Sequence, residues 1–240
     1  MKQTLHLIAL RTIRHSDRHN ILTGYTLENG RMAFAVNAGA GASAARMRAL
    51  LMPLSVVECE ARIQPGKEVH TLLQVSPVTP LHGIHAHPVK ASLALFIAEV
   101  LTTLLRDGPA DAPLWHYLSL SISTLAELQA ARVANFHICF LTGLSRMLGI
   151  APDVTDYRRG MIFDMTEGRF RQSAPLHSRF LTASESAIVG VLARLSYRNM
   201  HRWRMSRQER QSVLDGILEY ISIHYASLSN LKSLDVVRSL

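Results

Sequence analysis

The sequence has few cysteines and no long apolar run, and each shortage narrows what the chain can be. Two cysteines among 240 residues, Cys59 and Cys139, are too few for a disulfide-stapled secreted domain and favour a reducing compartment. No stretch reaches the ~18 apolar residues of a membrane-spanning helix, and the first residues lack the apolar core of a secretory signal. The sequence therefore predicts a cytoplasmic protein with no membrane partner.

Acidic residues and lysines are also scarce. The 26 basic residues outnumber the 18 acidic ones, which gives a net charge of +8, and only four of the basic residues are lysines, so 22 are arginines. Planar guanidinium groups bind phosphate oxygens in pairs, and such a charge balance favours a polyanionic partner, with nucleic acid ahead of a membrane surface. A basic protein without such a partner is the alternative.

Apolar residues alternate with polar ones as far as residue 76, and this period of two predicts five strands. The runs are 5–12, 21–27, 32–36, 57–63 and 69–75. Asn29-Gly30 between the second and third runs predicts a hairpin with a type I′ turn, which needs two residues tolerant of positive φ. Five short strands in this length match a small closed barrel, so we predict a barrel domain over residues 1–78.

A glycine-rich link, residues 37–43, joins the third and fourth runs and is followed by Arg46 and Arg48. It lacks the GxxxxGK[ST] order of a phosphate-binding loop, and no clear helical pattern begins at its end. We therefore interpret it as a mobile loop of the barrel.

From Pro88 onwards the apolar period becomes 3.6, which predicts helices. Thr182 with Glu185 and Ser206 with Glu209 form the capping-box pattern that begins a helix. Strands followed by helices without alternation predict an α+β fold, with a helical domain over residues 79–240.

Catalytic motifs are missing: GxSxG, HExxH, CxxC and GxGxxG do not occur. We interpret Asp164 and Glu167, which flank a turn at Gly168, as the polar part of a hairpin. His82, His85 and His87 form one histidine cluster, and three imidazoles are a possible zinc site for a hydrolase. No carboxylate follows to orient the rings, so a polar linker is the favoured interpretation. We predict no catalytic residue, cofactor or metal.

The arginines fall into two clusters that are candidates for DNA binding. The cluster of the barrel half lies around predicted strand ends and the glycine-rich link, and comprises Arg11, Arg14, Arg18, Arg31, Arg46 and Arg48. The second cluster lies near the C-terminal capping box and comprises Arg194, Arg198, Arg202, Arg204 and Arg207. On a helix, the spacing of its first three members predicts one ridge beside an apolar stripe. Either a DNA backbone or an acidic protein segment would relieve its repulsion.

Three ordered segments resemble the RecO family. Residues 135–152 resemble its NFxxxFLxxLSxxLGxxP helix motif, and residues 163–170 resemble its FDxxxGxF hairpin. The end of the chain, with Tyr220, His224 and Leu231-Lys232-Ser233-Leu234, resembles the family's C-terminal motif. Together with Leu51-Met52-Pro53-Leu54, these matches extend over nearly the whole chain in the expected order.

The resemblance implies an N-terminal OB-fold and a C-terminal helical domain. It also implies binding to single- and double-stranded DNA, annealing of complementary strands, and work with RecR. It further implies contact with the C-terminal tail of single-stranded DNA-binding protein, indirect action on RecA, and association with the nucleoid. Many family members carry a four-cysteine zinc module, but residues 153–175 contain no cysteine. We therefore predict a loop or hairpin insertion around residues 151–178 and no zinc.

Aromatic residues are few in the barrel half, where Tyr25 and Phe34 alternate with polar neighbours and are predicted to be core residues. OB-folds that grip single strands normally stack bases on exposed aromatic rings. Contacts in this chain are therefore expected to reach phosphates, which leaves the bases free to pair. An RNA-binding OB-fold protein with a helical dimerisation domain is the alternative, and binding that requires the 2′-hydroxyl would favour it.

Overall fold

The computed structural model describes residues 1–78, 82–105 and 108–239. By its internal contacts the chain forms two compact units. The first consists of residues 1–130 with 231–237, and the second consists of residues 131–230 with those from 238 onwards. The two long helices that follow the barrel thus belong to the same compact unit as the barrel. The boundary proposed after residue 78 separates strands from helices and does not separate the two compact units.

A closed five-stranded barrel forms the start of the first unit, as the sequence predicts. Its strands are β1 (Lys2–Arg14), β2 (His19–Thr26), β3 (Gly30–Asn37), β4 (Val56–Arg62) and β5 (Val69–Pro77). They follow the order β1-β2-β3-β5-β4, with a parallel β3–β5 pair and antiparallel neighbours elsewhere. Leu5, Leu7, Leu22, Phe34 and Cys59 fill the barrel core.

The hairpin between β2 and β3 lies where the sequence predicts it, but the prediction of its turn type is wrong. Thr26 pairs with Gly30, so three residues form the loop, and Gly30 is the one that adopts a positive φ, 69°. The Thr26 hydroxyl accepts the Asn29 N–H and donates to the Gly30 carbonyl, which organises this longer turn. A Cβ on Gly30 would lie 2.9 Å from the Gly108 carbonyl oxygen, so close packing also requires glycine here.

The glycine-rich link leads into a helix, α1 (Ala42–Leu50), and the interpretation of this region as a mobile loop is wrong from residue 42 onwards. Alanine-rich sequence favours a helix by propensity. The apolar pattern did not reveal it because Ala44 is the one residue of this helix that is buried. Arg46 and Arg48 therefore project from a helix.

Three further helices of the first unit follow the barrel: α2 (His82–His85), α3 (Pro88–Leu104) and α4 (Ala112–Glu127). Pro88 stands in the first turn of α3, where a missing N–H costs nothing. The Asp111 carboxylate caps α4 by accepting the Leu114 N–H at 2.9 Å. The buried Lys90 ammonium donates to the Ala126 carbonyl at 2.8 Å and so ties α3 to the end of α4.

The second unit contains α5 (Phe136–Met147), α6 (Ala183–Leu192) and α7 (Arg207–His224), and the chain ends with α8 (Leu234–Arg238). Both predicted capping boxes are present, at Thr182 and at Ser206. The predicted hairpin is β6 (Ile162–Asp164) and β7 (Arg169–Arg171), and β8 (Phe180–Leu181) pairs with β6 on its other side. Gly168 turns the hairpin with a φ of 69°. The predicted α+β class is confirmed.

Candidate nucleic-acid interface

Four arginines of the barrel gather around the start of the glycine-rich link. Arg14 ends β1 and Arg18 lies in the following turn, where its carbonyl accepts the Ala38 N–H at 3.0 Å. The Arg48 guanidinium donates to the Gly39 carbonyl at 2.8 Å, which places α1 against the same segment. Arg46 lies half a turn of helix before Arg48, and both are exposed.

The other two barrel arginines lie further from this group. Arg11 is exposed on β1, about 10 Å along the strand from Arg14 at ~3.3 Å per residue. Arg31 is half-buried opposite Tyr25, at the β2–β3 hairpin end of its strand, whereas Asn37 at the other end pairs with His19. Six residues of strand, about 20 Å, therefore separate Arg31 from the group at Arg18.

The two barrel aromatics are buried, as predicted. Tyr25 is 4% exposed and Phe34 is 0% exposed, so neither ring presents a face for stacking on a base. Arg11, Arg18, Arg46 and Arg48 instead present exposed side chains, and guanidinium groups bind phosphate oxygens. Arg14 is also exposed, but its guanidinium group pairs with the Asp17 carboxylate at 2.7 Å.

The predicted helical ridge of arginines does not form. Helix α6 ends at Leu192, and Arg194, Arg198 and Arg202 lie in a segment that contains only a short 3₁₀ turn, Met200–Arg202. Asn199 explains the break: its side-chain oxygen accepts the Ser196 N–H at 2.8 Å, and its amide donates to the Arg194 carbonyl at 2.9 Å. Such local bonds compete with helical ones. We call residues 193–206 the arginine loop.

Helix α5 holds the arginine loop at both ends and in the middle. The Arg146 guanidinium donates to the Leu192 and Ala193 carbonyls, and the Asn135 amide donates to the Met200 and Trp203 carbonyls. Between them the Phe136 ring stacks on Tyr197, with centroids 5.1 Å apart. Three carbonyls of the loop, those of Ala193, Met200 and Trp203, are thus turned towards α5 and Asn135.

The side chains of four loop arginines are exposed to solvent: Arg194, Arg198, Arg202 and Arg204. Within the described residues none of them forms an ion pair with a carboxylate. Arg207 differs, because its Nε donates to the Arg238 carbonyl at 2.9 Å. Four charges without a described carboxylate partner therefore fall within eleven residues of sequence, on a backbone that bonds from α5 and Asn135 hold.

An apolar groove of about 1060 Å³ lies beside the arginine loop in the second unit. Ile188 and Leu192 of α6 and Val213 and Ile217 of α7 supply apolar walls, and Trp203, Arg204 and Met205 of the loop also line it. The sequence suggested an apolar groove beside the arginines for an acidic tail, but it could not identify the groove, because the groove depends on how α6 and α7 pack.

The carboxylates of the insertion are structural, in agreement with the sequence interpretation. Asp164 is fully buried and accepts the N–H groups of Thr166 and Glu167 at 2.9 and 3.1 Å, which closes the hairpin. The Arg171 Nε lies 3.1 Å from the same carboxylate. Hydrogen bonds from Arg171 and Arg169 lower the pKa of Glu167 to about 2. These acids are committed to holding the turn.

Among the residues that the structure describes, no three metal-binding side chains converge. His85 lies in α2 and His87 directly before α3, and the His82 side chain is outside the described residues. Burial lowers the pKa of His85. Across the described ranges no helix has both the length and the apolar character needed to cross a bilayer.

Comparison with known proteins matches the chain almost from end to end. The family model for the N-terminal part of recombination protein O covers residues 1–81, and the model for its C-terminal part covers residues 85–235. The DNA repair protein RecO of Phocaeicola vulgatus is 37% identical over 233 residues, which are 97% of this chain and 96% of that protein. The DNA repair proteins RecO of Bacteroides fragilis and Porphyromonas gingivalis are 35% and 32% identical over the same shares.

A closed five-stranded barrel followed by a helical region, matched by the family models for both parts of recombination protein O, places the chain in the class of DNA repair proteins built on an OB-fold. The chain belongs to the RecO family and has a role in DNA repair and recombination. The resemblance found in the three sequence motifs is confirmed.

Proposed function

We propose that this protein binds single- and double-stranded DNA and anneals complementary strands without catalysis. With RecR it assists the loading of RecA, and it works in the cytoplasm at the nucleoid. The observation that carries the proposal is the set of exposed arginines on each unit that pair with no described carboxylate, Arg18 and Arg46 in the first and the arginine loop in the second. They stand on a scaffold of the RecO family.

Annealing requires that two backbones approach while their bases stay free to pair. Guanidinium groups screen the phosphates, and the burial of Tyr25 and Phe34 means that the barrel does not sequester bases by stacking. Two basic surfaces on one chain offer a place for each strand. No bond is broken in this process, so neither a metal nor a general base is needed.

The groove beside the arginine loop is the place we propose for the C-terminal tail of single-stranded DNA-binding protein. Apolar walls from α6 and α7 suit buried side chains of a short peptide, while Arg146 and Arg204 stand at the groove to meet acidic groups. Under this proposal the tail and the DNA use neighbouring parts of the second unit, which share Arg204.

A salt-titrated annealing assay on complementary oligonucleotides tests the proposal, with and without RecR. Exchanging Arg198 and Arg202 together for alanine is expected to slow annealing while the affinity for a fluorescent tail peptide stays unchanged. Loss of peptide binding with intact annealing would assign these arginines to the peptide. If neither activity changes, the loop is not a binding surface. Binding to RNA that requires the 2′-hydroxyl would favour the RNA-binding alternative.

The barrel group is tested separately by exchanging Arg14 and Arg18 for glutamine. Binding of every sequence is expected to weaken about equally. The slope of log K against log salt is expected to flatten by about 0.7 for each single-strand phosphate that the variant no longer neutralises. An unchanged slope would remove these two arginines from the site.

A further inference from the structure

The insertion at residues 151–178 contains two kinds of arginine. Arg169 and Arg171 are engaged, since both form ion pairs with Glu167. Arg158 and Arg159 are exposed, and among the described residues neither guanidinium group has an ion-pair partner. Paired arginines stabilise the hairpin, whereas an adjacent unpaired couple costs electrostatic repulsion and gives nothing to the fold.

A tight turn holds Arg158 and Arg159 in place. The Arg158 carbonyl accepts the Met161 N–H at 3.1 Å, and Gly160 at the third position of the turn has a φ of 93°. A positive φ at that position is the signature of a type II turn, which glycine favours. The bond that closes the turn uses backbone atoms alone, so both guanidinium groups are left for other contacts.

Tyr157, the residue before the pair, anchors the turn against α6. Its ring packs on Phe170 with centroids 4.6 Å apart, and it lies 3.7 Å from where a Cβ on Gly190 would stand. Beyond Leu192 the Arg194 N–H still bonds to the Val191 carbonyl at 3.0 Å, so the helical course continues as far as Arg194. Residues four apart in such a course lie on one face, about 6 Å apart. Tyr157 therefore contacts the last turns of α6, and α6 leads directly into the arginine loop.

We propose that Arg158 and Arg159 extend the arginine loop into one longer phosphate-binding surface for a nucleic-acid strand. The inference rests on the proposed function, because it adds residues to that site. With Arg194, Arg198, Arg202 and Arg204, the pair raises to six the exposed guanidinium groups of these two segments that have no described carboxylate partner. A nucleic-acid backbone carries a charge at every nucleotide and matches such a row better than the few acids of a short peptide.

The test is the exchange of Arg158 and Arg159 together for glutamine in the full chain. Binding to a fluorescent single-stranded oligonucleotide is measured from low to high salt. The slope of log K against log salt is expected to flatten by about 1.4, since the variant leaves two phosphates without a counter-charge at ~0.7 each. The double exchange Lys67→Gln and Lys232→Gln, which removes the same charge from two exposed lysines outside both clusters, is expected to leave the slope unchanged.

A further variant separates charge from structure. Replacing both arginines by lysine keeps the charges and is expected to retain most of the slope, and all variants should keep the thermal midpoint of the wild type because the turn is closed by backbone atoms. If the variant with Arg158→Gln and Arg159→Gln has the same slope as the control with Lys67→Gln and Lys232→Gln, the inference is overturned. So does a variant that binds DNA normally but loses affinity for an aspartate-rich peptide.

Failure of this inference is distinguishable from failure of the proposed function. If the wild type binds DNA with a steep slope that the Arg198 and Arg202 exchange flattens, the function stands, and an unaltered slope for the Arg158 and Arg159 exchange rejects the extension alone. If the wild type shows no salt-dependent binding, both are rejected together.

Discussion

Acidification from pH 7 to pH 5 is expected to destabilise the second unit through one side chain, His137. The imidazole is 1% exposed at the start of α5. Burial, and to a smaller extent the charge of Arg210, lowers the pKa of His137 from 6.5 to about 3. The folded protein therefore keeps this ring neutral at pH values where the unfolded chain takes up a proton.

The sign and size of the effect follow from proton linkage. Between pH 6.5 and pH 3 the unfolded state binds the proton and the folded state does not, so the free energy of unfolding falls as the pH falls. The limiting decrease is about 1.4 kcal/mol for each pH unit, which amounts to about 2 kcal/mol at pH 5. Above pH 6.5 His137 contributes no pH dependence.

Urea denaturation at pH 7 and pH 5, followed by circular dichroism, measures this decrease in the wild type and in a His137→Gln variant. Glutamine does not titrate, so the variant is expected to lose about 2 kcal/mol less than the wild type on acidification, whatever its own stability. The exchange His116→Gln, at an exposed histidine of α4, serves as the control and should keep the wild-type pH dependence. Equal pH dependence in the wild type and the His137 variant would refute the reasoning.

Three further outcomes are expected. Exchanging Asn135 for alanine removes the donor to the Met200 and Trp203 carbonyls. The exchange should lower the free energy of unfolding by about 2 kcal/mol and weaken DNA binding. Unaltered unfolding and DNA binding would show that the arginine loop does not need this anchor. Exchanging Asp164 for alanine should lower the free energy of unfolding by about 2 kcal/mol, because two N–H groups lose a charged acceptor. The control Asp156→Ala, at an exposed acid, should change the free energy of unfolding by no more than about 0.5 kcal/mol. A similar decrease in both variants would contradict the role of Asp164. Metal analysis of the purified protein should find no tightly bound zinc, and one zinc per chain that resists mild chelation would contradict this expectation.

The sequence predicted elements well where a local signal and the final packing agree. Both capping boxes and the hairpin at Gly168 depend on neighbouring residues, and all three are present. Alternation located the barrel strands, but on β2 it did not say which face is inward: Leu22 fills the core, while Ile21 is half-buried. That choice depends on the partner strands.

Helix α1 shows a second limit of sequence patterns. A search for apolar periodicity finds helices that bury a stripe, and α1 buries Ala44 alone. The preceding glycines favoured a loop, and this interpretation missed the alanine-rich run that favours a helix. As a result Arg46 and Arg48 were predicted correctly as neighbours of the link but on the wrong type of element.

The arginine loop shows why a candidate site is harder to predict than a fold. The spacing of Arg194, Arg198 and Arg202 is helical, but Asn199 diverts the backbone by bonding to Ser196 and Arg194. The site then depends on distant donors, Asn135 and Arg146, which turn the loop carbonyls inward. No local pattern around residue 198 reports these contacts, since they join segments more than 45 residues apart.

The ion pairs and hydrogen bonds of the guanidinium groups separate the arginines of this protein into those that stabilise the fold and those available to a ligand. Arg171 lies against buried Asp164, and Arg146 caps the end of α6, so their exchange is expected to affect stability first. Arg198 and Arg159 are exposed and, within the described part of the chain, pair with no carboxylate. Since unpaired like charges in proximity repel, we expect a polyanion to relieve this repulsion, and the salt dependence of binding measures how many of these arginines it contacts.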